Sequence, residues 1–174
     1  MLQEDEAATL EDARFGDLMS ETDLRQFVVF RLGKEEYGFD ISIVREIHNM
    51  EEIAKVHRSA SHIEGVMNLR GKLLTVVNLR TRFGMDLMPA GEGNPKIVVV
   101  DASDAPVGFL VDEVVEVVRI GNKAIEKAPA YVTSGIEAQY VTGIAKHDER
   151  LITLIDPLKV LDLSCDEEIR PGVR

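Results

Sequence analysis

Phe27-Val28-Val29-Phe30, then Gly38-Phe39, then Val44-Arg45-Glu46-Ile47, is a succession that the chain presents twice. It returns as Ile97-Val98-Val99-Val100, Gly108-Phe109 and Val114-Val115-Glu116-Val117, each group 70 residues further on. A second block, Gly65-Val66 with Leu73-Leu74-Thr75-Val76-Val77-Asn78, recurs 78 residues later as Gly143-Ile144 with Leu151-Ile152-Thr153-Leu154-Ile155-Asp156. Two blocks in the same order mean two copies of one β-rich unit, the second lengthened by insertions. Apolar strands resemble each other by composition alone, but glycines and glutamates that keep register do not. A unit of about 60 residues is marginal by itself. The copies are therefore expected to share a core, and the seam between them is a natural docking groove.

Working outward, residues 27–32 alternate, turn at Gly33-Lys34 and continue over 36–39 as a β-hairpin. Ile41, Val44 and Ile47 fall three apart after Asp40, which predicts a short helical turn with an N-cap and one apolar face. The corresponding stretch, 111–118, is too rich in β-branched residues for a helix and reads as extended. Strands over 65–69 and 73–79 bracket Arg70-Gly71-Lys72, and a helical turn over 78–83 ends at Gly84. The turn formers of 88–95 join the copies. Second-copy strands are expected at 96–102, 106–118, 141–146 and 150–155, with a long loop over 121–140 and a closing helix at 157–162 opened by Pro157. Many short strands with little helix predict small β-barrels rather than a layered α/β sheet.

Composition limits the function. With 45% apolar and 29% charged residues, the 174-residue chain is globular and large enough for one compact body. A net charge of −11 disfavours nucleic acid and anionic membranes. No apolar run reaches the roughly 18 residues of a membrane span, and the start, MLQEDEAATLED, lacks a signal-peptide layout. The single Cys165 fits a reducing compartment. The protein is therefore read as cytoplasmic. Residues 1–25, dense in acids, read as a flexible leader in which Leu10, Phe15, Leu18 and Met19 could form one weak amphipathic helix. Residues 163–174 read as a polar tail.

The search for chemistry yields no catalytic constellation. The four histidines are scattered without metal-ligand spacing, so no metal and no cofactor are expected. No phosphate-binding glycine loop is present. Glu35-Glu36 and Asp112-Glu113 are adjacent acids on strands, where neighbours point to opposite faces. What remains is a surface. Arg70, in a turn, and Glu46, beside Val44 and Ile47, can join as a bidentate pair if their elements pack together, and an unpaired, solvated Arg70 is the equally weighted alternative.

The stretch 26–161 resembles the CheW family of bacterial chemotaxis coupling proteins. The resemblance rests on "EEYGFDISIVREI", "GVMNLRGKLLTVVNLRTRFG", "VGFLVDEVVEVV" and "YVTGIAKHDERLITLIDPLKVL". It implies two pseudo-repeated, five-stranded, SH3-like β-barrels around a shared hydrophobic core. The first would lie at about 26–85 with contributions from the chain end, and the second at about 96–156. It further implies a non-enzymatic adaptor without cofactor that joins the cytoplasmic tip of chemoreceptors to the regulatory domain of the histidine kinase CheA, at receptor arrays on the inner face of the membrane. The receptor positions it implies are Val28, Ile41, Val44 and Ile47, with Glu46 and Arg70 as the supporting pair. Kinase contacts are implied near Gly71 and Lys72, and a further kinase interface through the second barrel. The same scaffold serving surface motility or development is the alternative reading.

Overall fold

The computed structural model describes residues 24–57, 61–88, 93–102, 105–128 and 139–161. Residues 1–23 of the expected leader, the tail and half of the expected 121–140 loop lie outside the described residues, while Leu24 and Arg25 already belong to the first strand and the loop holds a 3-10 turn and a two-residue strand. Strand β1 (Leu24–Leu32) turns into β2 (Glu35–Asp40), and a 3-10 turn (Ile41–Ile43) leads to β3 (Val44–Asn49). Then come β4 (Ile63–Leu69), β5 (Lys72–Asn78), a helical turn (Leu79–Arg82), β6 (Lys96–Asp101) and β7 (Pro106–Val111). The chain continues with β8 (Glu113–Gly121), a 3-10 turn (Asn122–Ala124), β9 (Ile125–Glu126), β10 (Val141–His147), β11 (Arg150–Ile155) and a last helical turn (Pro157–Val160).

These strands form two sheets, ordered β8-β1-β2-β11-β10-β9 and β3-β6-β7-β5-β4. The sheets do not follow the expected division at 26–85 and 96–156. Each copy gives its first hairpin to the other copy's sheet: β1–β2 joins β8–β11, and β6–β7 joins β3–β5. Each exchanged hairpin is joined antiparallel on one side, β1 to β8 and β6 to β3, and parallel on the other, Gly38 against Leu154 and Gly108 against Val76. Gly38 also faces Val29 across its hairpin, as Gly108 faces Val99. The two glycines are thus equivalent in every pairing, as the repeat requires. The sixth strand is the two-residue β9, whose counterpart in the smaller sheet is the single bridge between Ala54 and Val66.

Hairpin exchange explains the shared core. Phe30, Leu32, Tyr37 and Phe39 from one sheet pack with Val77, Val98, Val100, Phe109 and Val111 from the other, all buried. Ring centroids run from Phe30 to Phe39 at 4.8 Å and on to Phe109 at 5.3 Å. Each sheet also keeps a private cluster, Val29, Ile152 and Leu154 in one and Leu74, Val76 and Val99 in the other. The helical turns are likewise copies: Asn78 Oδ1 accepts from the Arg80 amide at 2.9 Å, and Asp156 Oδ1 from the Leu158 amide at 3.0 Å.

The helical expectation for 41–47 holds for three residues only. Asp40 caps as predicted, its Oδ1 accepting from the Ser42 amide at 2.9 Å. From Val44 on the chain is a strand, because β3 finds a partner in β6 and backbone pairing outweighs a spacing of three. The expected strand 106–118 breaks at Asp112, where the chain crosses from one sheet to the other. Asp112 Oδ2 accepts from the Gly33 amide at 2.7 Å, and its two oxygens take Arg80 Nε at 2.8 Å and Nη2 at 2.6 Å. This largely buried pair ties the β1–β2 turn, the β7–β8 crossing and the first helical turn together.

Gly65 and Gly143 both sit next to a bulge, opposite Val76 and Leu154. Gly65 has φ +148°, and an added Cβ would lie 2.3 Å from the Ala54 carbonyl oxygen; at Gly143 the nearest oxygen, that of Glu126, would lie 3.1 Å away. Backbone cannot yield as a side-chain tip can. Gly65→Ala is expected to destabilise by about 2–4 kcal/mol and Gly143→Ala by about 1 kcal/mol, measured as urea midpoints. Equal losses would mean that the two bulges are under equal constraint, against the geometry.

Candidate functional site

Glu46 lies on β3, an edge strand, and Arg70 lies at the tip of the hairpin forming the opposite edge of the same sheet. Arg70 (φ 53°) and Gly71 (φ 84°) form the two-residue turn, both left-handed, and Asn68 Oδ1 accepts from the Gly71 amide at 2.8 Å. Such a turn matches the strand twist and asks for glycine at its second position. It aims Arg70 back across the sheet opening. Arg70 Nη1 donates to Glu46 Oε2 at 2.8 Å and Nη2 to Oε1 at 2.5 Å. The pair therefore fastens the two edges and curls the sheet toward a barrel.

Alternation along β3 turns Glu46 and His48 one way and Arg45, Ile47 and Asn49 the other, with a bulge between Val44 and Glu46. His48 Nε2 approaches Glu46 Oε1 at 3.0 Å without a well-formed hydrogen bond. The Arg70 hydrogen bonds hold the Glu46 carboxyl down at about 2, against partial burial and with help from His48.

The sequence-derived positions separate into three groups. Glu46 and Arg70 meet as expected. Ile47 is exposed (40%), while Ile41 and Val44 are half-buried and Val44 packs on the shared core. Val28 is 1% exposed, so it does not belong to a surface strip. The four apolar positions are thus not one surface: Ile41 lies in a 3-10 turn, Val44 and Ile47 on a strand instead of the expected helical turn, and Val28, implied by the resemblance, inside β1. Gly71 and Lys72 are exposed beside Leu73, which is 74% exposed. Between Glu46, Arg70, Lys72, Leu73 and Pro106 lies an open depression of about 210 Å³.

The repeat builds a second such end. Glu116 occupies the place of Glu46, opposite Val29 as Glu46 is opposite Val99. Arg150 Nη2 donates to Glu116 Oε2 at 2.5 Å. Val117 and Leu151, the counterparts of Ile47 and Leu73, are 47% and 61% exposed. The sequence reading did not single out this surface, although the 70-residue and 78-residue offsets predict it. Arg80 and Asp112 were also missed. Asp112 was read only as one of two adjacent acids on a strand, and the sequence around Arg80, Asn78-Leu79-Arg80-Thr81-Arg82, carries no signal that sets it apart.

A larger cavity of about 780 Å³ opens between Met50, Ile63, Met85, Leu87 and Leu110. Several polar groups on its wall are committed to one another, Arg80 to Asp112 and Asn78 Nδ2 to Glu64 Oε1 at 3.0 Å. Among the described residues no group of three or more His, Cys, Asp or Glu side chains gathers as for a metal, and no helix is long and apolar enough to cross a membrane.

The sequence matches the CheW-like domain family over residues 26–165. It is 32% identical over 149 residues to the chemotaxis protein CheW of Klebsiella aerogenes, covering 86% of this chain and 89% of that one. It is 33% identical over 133 residues to a probable chemotaxis protein CheW of Rhizobium etli, covering 76% and 84%. Among solved structures, the crystal structure of the scaffolding protein TtCheW from Thermoanaerobacter tengcongensis superposes with a TM-score of 0.72 at 36% identity, covering 79% of this chain and 92% of that one. The chain therefore belongs to the CheW family, the non-enzymatic scaffold proteins of chemotaxis.

Proposed function

We propose that this scaffold couples the cytoplasmic tip of a chemoreceptor to the regulatory domain of the histidine kinase CheA, within receptor arrays on the inner face of the membrane. The observation that carries the reading is the bidentate Glu46–Arg70 pair beside exposed Ile47 and Leu73. It holds an edge strand and a hairpin tip in one fixed relation, so that a partner meets a preorganised surface. Ile47 then supplies the apolar anchor for a receptor helix, with Ile41 and Val44 at its margin, and Gly71 with Lys72 supplies the kinase side. Val28 acts only through packing. The second end, around Glu116 and Arg150, offers a further surface on the other barrel. Two separated surfaces without a catalytic constellation are what an adaptor needs.

A double-mutant cycle tests the pair. Glu46→Lys and Arg70→Glu each place like charges together and are expected to weaken capture of receptor tip and kinase domain by about ten-fold or more, with little change in melting temperature, since the pair is exposed on the arginine side. The double charge swap is expected to recover part of the binding, because attraction returns although lysine cannot reproduce the arginine fork. Independent effects with no recovery would make Arg70 a direct contact instead of a brace.

The same pair sets a pH window. The Glu46 carboxyl is lowered from 4.5 to about 2, so the pair is fully formed above 4.5 and is lost only as pH falls toward 2. Carboxyl carbon shifts followed by NMR are expected to titrate near 2 in the parent protein and to return toward 4.5 in Arg70→Ala. A parent midpoint near 4.5 would mean that the pair does not persist in solution.

A further inference from the structure

The two barrel ends are copies, yet they differ at one place. On the first barrel the depression of about 210 Å³ is open, with Leu73, Leu74, Val99 and Pro106 as apolar lining and Lys72 on its rim. Position for position, the second barrel carries Glu36 where the first has Pro106, since Glu36 faces Arg31 as Pro106 faces Asp101. It carries Arg150 where the first has Lys72, since Arg150 faces His147 as Lys72 faces Leu69. Arg150 lies between Glu116 at 2.5 Å and Glu36 at 3.5 Å, and the Glu36 side chain is only 12% exposed. At the second end these two long, paired side chains hold the positions that Pro106 and Lys72 hold beside the depression of the first, and they form a charged plug there.

The charges at the depression differ too. Arg45 is held by Asp101 at 3.3 Å and Arg70 by Glu46, whereas Lys72 has no ion pair among the described residues. The volume lies below the about 300 Å³ at which small-molecule sites begin, and the lining sets an apolar floor of Leu69, Leu73, Leu74, Val99 and Pro106 beside the charged Arg45, Glu46, Arg70 and Lys72. It suits a single side chain.

We infer that the first-barrel depression is a socket for one aliphatic side chain flanked by a carboxylate on the partner that docks at Gly71–Lys72, the carboxylate pairing with Lys72. This rests on the proposed docking of the kinase regulatory domain at that end. The Glu36–Arg150 plug denies the same anchor to the second barrel, so the two ends select different partner surfaces although they share a fold. A buried anchor beside a satisfied charge is the usual composition of an interface hot spot.

Transplanting the plug tests this. Lys72→Arg with Pro106→Glu places at the first end the arginine and carboxylate that Arg150 and Glu36 supply at the second, with Glu46 in the role of Glu116; the new carboxylate faces Asp101 where Glu36 faces Arg31, so folding is checked beside binding. Binding of the purified CheA regulatory domain and of a receptor-tip fragment is measured by calorimetry for the full-length parent and variant, with melting temperature as the check on folding. The expected result is a loss of kinase-domain affinity of about ten-fold or more with receptor-tip affinity retained. Lys72→Asp, at an exposed side chain without an ion pair, keeps the test decisive if the double variant folds poorly; it is expected to weaken the kinase domain by about ten-fold, and more at low salt. A variant that binds the kinase domain like the parent overturns the socket while leaving the adaptor reading intact. A parent protein that does not bind the kinase domain overturns both.

Discussion

Neither sheet of this protein can be completed by its own half of the chain. The smaller sheet lacks its middle until β6 and β7 arrive, and the larger one lacks β1 and β2 until the first copy supplies them. The joints between the copies, parallel for β5 with β7 and β2 with β11 and antiparallel for β1 with β8 and β3 with β6, therefore carry the architecture, and the Phe30–Phe39–Phe109 contacts lie where the exchanged hairpins meet. Removing either hairpin would open both a sheet and the shared core. The Asp112–Arg80 pair sits at one of the crossings, where it satisfies a buried carboxylate and fastens turns that belong to different sheets.

A duplicated fold of this kind presents each surface feature twice, and function follows from where the copies diverge. The Glu–Arg fastening survives in both, but its arginine comes from the turn in one (Arg70) and from the first residue after the turn in the other (Arg150). That shift of position leaves Arg70 on the rim of the first-end depression and sets Arg150 between two carboxylates, Glu116 and Glu36. One scaffold thereby offers two ends of different shape with nearly the same backbone, a simple route to binding different partners without catalysis.

Much of this was legible in the sequence because it is local or periodic. The glycine register exposed the duplication, the stretch from Asn78 and Pro157 announced the two helical turns, and Arg70-Gly71 announced a tight hairpin. The Glu46–Arg70 pair was legible as a possibility because opposite charges flanked the two repeated blocks. The hairpin exchange was not, since repeated strands of like composition do not say which copy they pair with. Ile41, Val44 and Ile47 misled for a related reason: a spacing of three fits a helix, and only the availability of β6 as a partner makes Val44–Asn49 a strand. Val28 entered only through the family resemblance; both faces of β1 are covered, and it is buried along with its neighbours Phe27 and Val29.

The central claim is that the surface fastened by Glu46 and Arg70 is where the adaptor meets its partners. Hydrogen–deuterium exchange of the full-length protein, alone and then with receptor tip and kinase domain bound, tests it most directly. The account predicts new protection in Val44–Asn49 and around Arg70–Leu73, the receptor tip slowing exchange in the former and the kinase domain in the latter. Protection confined to other surfaces, with β3 and the β4–β5 turn exchanging as in the free protein, would contradict it.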